Sequence, residues 1–272
     1  MSFAVGVIGM GRMAQALVRP LVESGALRGS DLIAVVGHER SVARLKPELP
    51  SEITVISSGD PRVPQAWEAP VQLLAVKPQQ LCQVAESAGN TPPGESPLLI
   101  SVLAGVTLER LQSTFPGRVC VRAVPNTPCL VAEGLCGLAW GRAVSPEQKA
   151  WVRGMFEPVS EVLELPESQL DAFLALTSSG PAYVALIAEA LADGAVAAGL
   201  PRDQAHRLAQ RTLAGTAALL DRQSLHPAQL KDMVASPGGT TIAALRVLEK
   251  AGLRSALIEA VMAATERGRA LR

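Results

Sequence analysis

Phe3-Ala4-Val5-Gly6-Val7-Ile8-Gly9-Met10-Gly11-Arg12-Met13-Ala14 places a GxGxxA string directly after a short apolar run. An apolar run, a glycine-rich turn and a helical pattern in this order predict a β-strand, a tight turn and a helix that continues to about Glu23. The glycines let the backbone approach a ligand closely, and the N-terminus of the helix suits a pyrophosphate. The alternative is an ordinary strand-to-helix turn. The complete strand–turn–helix context favours dinucleotide binding.

The second apolar run, Leu32–Val36, predicts a neighbouring strand. An NAD-specific fold usually carries an acidic residue at the end of this strand, where it binds the ribose 2′-hydroxyl. Here the strand ends in Gly37-His38, followed by Glu39, Arg40 and Ser41. An arginine and a serine in this loop favour a 2′-phosphate and therefore NADP. Because Glu39 is acidic, NADH remains an alternative cofactor. The alternative for Arg40 is a solvated loop residue.

Further apolar runs alternate with helical patterns through the first part of the chain. Those that have the length and composition of strands are Val71–Val76, Leu98–Leu103, Val119–Val124 and Val159–Leu165. Ser145-Pro146-Glu147-Gln148 combines a proline at the first helical position with a capping box, which marks the start of a helix. Alternating strands and helices predict an α/β, Rossmann-type doubly wound, mostly parallel sheet, which we assign to residues 1–165.

The pattern becomes entirely helical after Pro166, and we assign residues 166–272 to a second, all-α domain. Helices are expected over 167–176, 181–198, 202–221, 227–235, 241–251 and 255–269. The stretch Ala182–Ala198 carries only two charges, Glu189 and Asp193. A helix that is apolar nearly all round must be buried on all sides, so we expect a subunit interface in an interlocked helical dimer. The alternative is a monomer with this helix at the centre of its own bundle.

Ser236-Pro237-Gly238-Gly239-Thr240-Thr241 separates two of these helical patterns. A Pro-Gly-Gly turn that opens a helix exposes several backbone N–H groups near the positive end of the helix dipole, which suits a small carboxylate or phosphate. Ser236 and the two threonines add hydroxyl donors. The alternative is a tight turn between helices with no ligand.

The composition excludes several classes of protein. The 272 residues are 48% hydrophobic and 3% aromatic with a net charge of zero, so neither a nucleic-acid groove nor an anionic membrane surface is expected as a partner. We also expect no transmembrane helix and no signal peptide. The four cysteines and three histidines lack metal-ligand spacing, so no metal site is expected. Reduced, mostly buried thiols indicate a cytoplasmic protein.

Five motifs together resemble pyrroline-5-carboxylate reductase, and the resemblance spans essentially the whole chain. They are Gly9-Met10-Gly11-Arg12-Met13, Ala75-Val76-Lys77-Pro78, Pro125-Asn126-Thr127-Pro128, Ser179-Gly180-Pro181-Ala182-Tyr183 and Lys231-Asp232-Met233-Val234-Ala235-Ser236-Pro237-Gly238-Gly239-Thr240-Thr241-Ile242. The first motif is generic. The last is long and close to diagnostic of the family.

The resemblance implies reduction of the cyclic imine 1-pyrroline-5-carboxylate to L-proline by NADPH, with NADH as a second donor, in homodimers that assemble into decamers of five dimers. For the cofactor it implies Ile8, Gly9, Met10, Gly11, Arg12, Met13, Ala75, Val76, Lys77, Pro78, Val102, Leu103, Ala104 and Asn126, and the loop argument adds Gly37, His38, Arg40 and Ser41. For the substrate it implies Ser236, Gly238, Gly239, Thr240, Thr241 and Glu167. Thr241 is expected to hydrogen-bond the ring nitrogen as the catalytic residue. Its alternative is an ordinary threonine in a first helical turn.

Two departures and two alternatives stay open. Some relatives carry an acid two positions before the His-Pro pair, where this chain has Ser224, and an Asn in the loop where it has Ser58-Gly59-Asp60. One alternative is another two-domain imine or 3-hydroxyacid dehydrogenase, but Lys231 and Lys250 lie outside the context expected for the acid–base lysine of hydroxyacid enzymes. The other is a non-catalytic NADP-binding protein. A glutamate such as Glu167 also favours a first helical turn without any ligand.

Overall fold

The computed structural model describes residues 3–89 and 96–271. Its eight strands are β1 (Val5–Ile8), β2 (Leu32–Val36), β3 (Thr54–Ser57), β4 (Val71–Leu74), β5 (Leu98–Ser101), β6 (Val119–Pro125), β7 (Gly134–Trp140) and β8 (Ser160–Glu164). They form one sheet in the order β3-β2-β1-β4-β5-β6-β7-β8. All neighbours pair in parallel except β6 and β7, which are antiparallel. This arrangement confirms the predicted doubly wound, mostly parallel sheet.

Seven helices connect and flank these strands. They are α1 (Arg12–Glu23), α2 (Glu39–Leu45), α3 (Val63–Glu68), α4 (Leu81–Ser87), α5 (Leu108–Thr114), α6 (Pro146–Phe156) and α7 (Leu170–Thr177). Short 3-10 turns cover Gly29–Asp31, Pro78–Gln80, Thr127–Val131 and Glu167–Gln169. The predicted capping box of α6 is confirmed, since Gln148 N donates to Ser145 Oγ at 3.2 Å and Ser145 N donates to Gln148 Oε1 at 3.0 Å.

Strands β1, β2, β5 and β6 are buried along their whole length, because helices cover the sheet on each side, whereas the edge strand β8 is partly exposed. Val5 and Val7 belong to one buried cluster together with Leu17 of α1. The other face of β1 packs against α3. A Cβ on Gly6 would lie 1.9 Å from the Ala66 carbonyl oxygen, so only glycine lets this helix lie so close to the central strand.

Two strands were missed by the sequence analysis, β3 and β7. β3 has only two apolar residues, Val55 and Ile56, and is therefore too short to show a period. β7 contains Gly134 and Gly137, which weaken the strand pattern. The glycine at 137 has a packing reason, since a Cβ there would lie 2.9 Å from the ring of Phe173 in α7.

The remaining helices are α8 (Gly180–Ala197), α9 (Arg202–Arg222), α10 (Pro227–Met233), α11 (Thr240–Lys250) and α12 (Leu253–Arg269). They confirm the all-helical character predicted for the C-terminal part. By internal contacts the chain divides into two compact units. The first comprises Met1–Ser178 with Ala264–Arg272, and the second comprises Ser179–Ala263.

The second unit buries little of its own apolar surface. Its buried hydrophobic cluster consists of Ala192, Ala205 and Ala209. An open groove of about 930 Å³ runs along α8 and α9. On α8, 66% of Leu186 is exposed.

One stretch of the described residues, Glu167–Ala197, is long and apolar enough to cross a membrane by length and composition, with a mean hydropathy of 1.4. Length and composition alone are weak evidence for a membrane span, so the expectation of no transmembrane helix stays a prediction. The apolar residues do not form one unbroken run, because Glu189 and Asp193 lie among them. Core helices of soluble proteins pass the same test, and this stretch contains the helix that the sequence assigns to a subunit interface.

Candidate functional site

A cleft of about 770 Å³ opens at the carboxyl ends of β1, β2 and β4 in the first unit. Parallel α/β sheets bind ligands at this edge, where the strand order reverses. The predicted cofactor residues that line the cleft are Ile8, Gly9, Met10, Gly11, Gly37, His38, Ser41, Ala75, Val76 and Lys77. Three separate parts of the sequence therefore meet in one concave surface of a size that suits a dinucleotide.

The glycine-rich turn between β1 and α1 has one constrained glycine and one open glycine. Gly9 has φ of +94°, and a Cβ there would lie 2.7 Å from the Ala75 carbonyl oxygen. Its N–H donates to the Val35 carbonyl at 2.8 Å, which ties the turn to β2. Gly11 is the N-cap of α1 with extended backbone, and a Cβ there would meet nothing within 4 Å. The first glycine shapes the turn, whereas the second leaves space beside the N-terminus of α1.

The acidic residue of the β2–α2 loop is engaged by the neighbouring strand. Ser57 Oγ, at the end of β3, donates a hydrogen bond to Glu39 Oε1. Glu39 does not appear among the described residues that line the cleft, whereas Ser41, Arg44 and Ser58 do. The 2′-phosphate of NADP would find two hydroxyls and a guanidinium at this end, and the competing carboxylate is bound to a serine.

Arg44 and Ser58 were not among the predicted residues. Arg40, which was predicted, is absent from the described lining of the cleft. Arg44 lies three residues after Ser41 on α2, and residues three apart share one face of a helix. That spacing is the signal in the sequence that would have identified Arg44.

Other predicted cofactor residues lie outside the described lining of this cleft. These are Arg12, Met13, Pro78, Val102, Leu103, Ala104 and Asn126. Asn126 is buried at the end of β6 and its amide group is engaged on both sides. Nδ2 donates to the Thr177 carbonyl at 3.0 Å, and Oδ1 accepts from Leu135 N at 2.8 Å. The side chain thus joins β6 to the end of α7 and the start of β7. Its predicted role near the nicotinamide stays a prediction.

The Ser236–Thr241 stretch forms a tight turn in the second unit, at the start of the eleven-residue helix α11. Gly238 has φ of +69°, a conformation that favours glycine. Gly239 is the N-cap of α11, and its N–H donates to the Ser236 carbonyl at 3.0 Å. A Cβ on Gly238 would meet nothing within 4 Å, so the turn is open to a ligand. Binding of a substrate by these residues stays a prediction.

Glu167 is engaged within the first unit. Its Oε1 accepts from Leu108 N at 2.7 Å and from Arg122 Nη1 at 3.0 Å. About 30% of the side chain is exposed. A carboxylate held by a backbone N–H and a guanidinium has a structural role of its own. Its predicted role as a substrate ligand stays a prediction.

Three of the four thiols are removed from solvent. Burial raises the pKa of the Cys120 thiol to about 12, and it raises the pKa of Cys129 and Cys136 as well. Only Cys82 is exposed. The buried thiols stay protonated near neutral pH and are therefore poor nucleophiles.

The parallel sheet, the glycine turn and the cleft at the ends of its strands define a dinucleotide-binding protein of the Rossmann class. Two family models match the chain: "NADP oxidoreductase coenzyme F420-dependent" over residues 4–105, and "Pyrroline-5-carboxylate reductase dimerisation" over residues 167–271. The chain belongs to the pyrroline-5-carboxylate reductase family, because it is 45% identical to the reductase of that name from a Synechocystis strain over 100% of this chain and 99% of the relative.

Other relatives agree with this assignment. The pyrroline-5-carboxylate reductase of Glycine max is 39% identical over 99% of this chain and 96% of its own length. Among solved structures, the Plasmodium falciparum pyrroline carboxylate reductase with NADP bound has a TM-score of 0.87 at 28% identity, covering 99% of this chain and 98% of its own. The Coxiella burnetii reductase has a TM-score of 0.85 at 31% identity, covering 100% and 99%. The family predicted from the five motifs is confirmed.

Proposed function

We propose that this protein reduces 1-pyrroline-5-carboxylate to L-proline with NADPH, the last step of proline biosynthesis, in the cytoplasm. The observation that carries the proposal is full-length identity of 45% to a reductase of that name, in a chain whose glycine turn and cleft fit a dinucleotide. The 3-hydroxyacid alternative gains no support, since the relatives that cover the full chain at 35–45% identity carry the reductase name.

NADPH is the preferred cofactor in this proposal. The open space beside Gly11 admits a phosphate next to the N-terminus of α1, where exposed backbone N–H groups favour an anion. Ser41, Arg44 and Ser58 supply donors for the 2′-phosphate, while Glu39 is bound to Ser57. When bound, NADPH supplies the hydride.

The chain's own residues need only bind and orient the imine, because hydride addition to a C=N bond requires no metal and no nucleophile. The Gly238 N–H and the free N–H groups at the start of α11 hold the substrate carboxylate, aided by Ser236 and Thr240, while the Gly239 N–H closes the turn on the Ser236 carbonyl. The Thr241 hydroxyl donates a hydrogen bond to the ring nitrogen and stabilises the charge that develops there.

The functional unit is a homodimer formed through the C-terminal helices, and five such dimers can assemble into a decamer. The match of residues 167–271 to a dimerisation family and the open apolar groove along α8 and α9 support this assembly. A second copy would cover side chains such as Leu186, which is exposed in one chain. Light scattering of Leu186→Glu should report monomers, while Arg222→Glu at the end of α9 should remain dimeric.

Turnover tests the proposal directly. Oxidation of NADPH and of NADH is followed separately with pyrroline-5-carboxylate, and reduction of NADP+ and of NAD+ is then followed with 3-hydroxy acids. Oxidation of NADPH with the cyclic imine is expected. Activity on 3-hydroxy acids alone, or cofactor binding without turnover, would refute it.

Thr241→Ala tests the assigned catalytic role. We expect a loss of kcat of roughly a hundredfold to a thousandfold, as for removal of one hydrogen bond that stabilises developing charge. Thr212→Ala is the matched control, since its hydroxyl donates only to the Leu208 carbonyl in α9. Normal turnover and normal substrate affinity in Thr241→Ala would exclude the role.

A further inference from the structure

The carboxylate of Glu167 joins three elements of the first unit that are far apart in sequence. It lies in the 3-10 turn before α7, accepts from Leu108 N at the first residue of α5, and accepts from Arg122 Nη1 in β6. Both bonds converge on the same oxygen, Oε1. That oxygen is therefore fixed from two directions, one belonging to the backbone of a helix start and the other to a strand in the sheet.

Arg122 makes this carboxylate hard to displace. Only 1% of its side chain is exposed, and Nε and Nη2 are buried without a hydrogen-bond partner among the described residues. Nη2 lies 3.7 Å from Asp171 Oδ1. A buried guanidinium is stable only when opposite charges and hydrogen bonds compensate for its lost hydration. The Nη1 bond to Glu167 is the one short hydrogen bond that holds the Arg122 guanidinium in the described structure.

The segment between β5 and α5 is held at both ends. At one end Val102 N donates to the Leu74 carbonyl at 3.0 Å, and Leu103 N donates to Ser101 Oγ at 3.3 Å. At the other end Leu108 N donates to Glu167. Between them Gly105 turns the chain with φ of +74°. The segment follows a parallel strand at its carboxyl end, the edge at which such sheets bind ligands.

We propose that Glu167 is a positioning residue, which sets the Val102–Ala104 segment for the cofactor by holding Leu108, and that it is not a substrate ligand. The inference rests on the proposed function, since that function places the nicotinamide half of the cofactor at residues 102–104. Arg122 supplies the charge that holds the carboxylate in place. Under this proposal, NADPH binding depends on the position of Oε1 and not on a direct interaction between the carboxylate charge and a ligand.

Two conservative variants separate geometry from charge. Glu167→Gln keeps a side-chain oxygen at the same reach but loses the charge. Glu167→Asp keeps the charge but withdraws the carboxylate by about 1.5 Å, one carbon–carbon bond. Glu164→Asp is the control. Glu164 lies at the end of β8 and also accepts two hydrogen bonds, from Arg153 Nη1 at 3.1 Å and from Trp140 Nε1 at 2.8 Å.

The readouts are the Kd of NADPH without substrate, the KM of pyrroline-5-carboxylate, and the melting temperature. We expect Glu167→Asp to raise the Kd of NADPH about tenfold, because small displacements of positioning groups cost up to two orders of magnitude. Glu167→Gln should keep the Kd of NADPH within about threefold of that of the parent protein, since its oxygen can still accept both bonds. Its melting temperature should fall, because the buried Arg122 guanidinium then keeps only Asp171 as an opposite charge among the described residues. The control should bind NADPH normally.

The opposite pattern would overturn the inference. A substrate ligand would give a raised KM for pyrroline-5-carboxylate in Glu167→Gln, with the Kd of NADPH unchanged in both variants. A parent protein that neither binds NADPH nor reduces the imine would instead refute the proposed function. Each variant is assayed below its own melting temperature, so that unfolding does not enter the comparison.

Discussion

Replacement by alanine should affect a different property at each glycine of the β1–α1 turn: the stability of the fold at Gly9 and the affinity for NADPH at Gly11. In Gly9→Ala the alanine must adopt a backbone φ of +94°. Its Cβ would lie 2.7 Å from the Ala75 carbonyl oxygen. In Gly11→Ala the backbone is already extended, and the new Cβ meets no protein atom within 4 Å. The first change therefore disturbs folding. The second disturbs only what occupies the open space, which we assign to the pyrophosphate of NADPH.

The magnitudes follow from these contacts. A left-handed conformation costs a residue with a Cβ roughly 1–2 kcal/mol, and overpacking costs about 1–3 kcal/mol, so Gly9→Ala should lose roughly 2–5 kcal/mol. For a chain of this size that lowers the melting temperature by roughly 4–20 °C. Gly11→Ala should lose about 1 kcal/mol or less, the difference between glycine and alanine at an N-cap. Loss of one hydrogen bond to a charged phosphate, about 1.5–3 kcal/mol, weakens NADPH binding roughly 10- to 100-fold.

The assay combines thermal melting with a fluorescence titration of NADPH. Gly11→Ala should melt close to the parent protein and bind NADPH at least about tenfold more weakly. Gly9→Ala should melt well below it. The reasoning is refuted if Gly11→Ala binds NADPH with the parent Kd, or if both variants melt at the same reduced temperature.

Three further predictions concern the thiols and the Ser57–Glu39 contact. A thiol reagent at pH 8 should modify Cys82 alone in the folded protein and all four cysteines after denaturation; rapid labelling of a second thiol would contradict the burial. Burial raises the pKa of Cys120 from 9.0 to about 12, so the thiol ionises at a lower pH in the unfolded state than in the folded state. The contribution of Cys120 to the free energy of unfolding is therefore complete below pH 9 and is lost as the pH rises toward 12. Melting temperature measured across that range should fall, and Cys120→Ala should flatten the fall. Ser57→Ala releases the Glu39 carboxylate toward a 2′-phosphate, and should lower the NADPH-to-NADH ratio of kcat/KM about fivefold, since like charges near a surface repel by about 1 kcal/mol or more. An unchanged ratio, as expected for the control Ser113→Ala, would exclude that role.

Local sequence determines the features that the sequence analysis predicted correctly. The turn at Gly9 follows from residues within one strand–turn–helix unit, as does the capping box at Ser145. The α8 helix is recognisable by its own composition. Each of these features depends on neighbours in the chain, so a pattern of a few residues contains the information.

The features that were missed depend on distant parts of the chain. Glu39 finds Ser57 because parallel pairing of β2 and β3 aligns Val36 with Ser57. Glu167 reaches Leu108 across 59 positions of sequence. No periodicity encodes such pairs; they appear only when the strand order and register are known. Arg44 is a different case, because its spacing of three residues from Ser41 on α2 is a local signal that the sequence analysis did not use.

The walls of the cleft and the Ser236–Thr241 turn, to which we assign the substrate, belong to units with very different cores. Trp67 lines the cleft, and behind it the buried Arg118 lies 5.3 Å from its ring centroid and donates to Gln72 Oε1 at 2.8 Å. This wall is built from the core of a single chain. The turn at Ser236–Thr241 belongs to a unit whose buried hydrophobic cluster, within the described residues, is three alanines. A unit with so little core gains its stability from association, and association depends on protomer concentration. Dilution below the dimer dissociation constant should therefore abolish turnover while NADPH binding in the first unit persists, and equal loss of both would show that the first unit depends on the assembly as well.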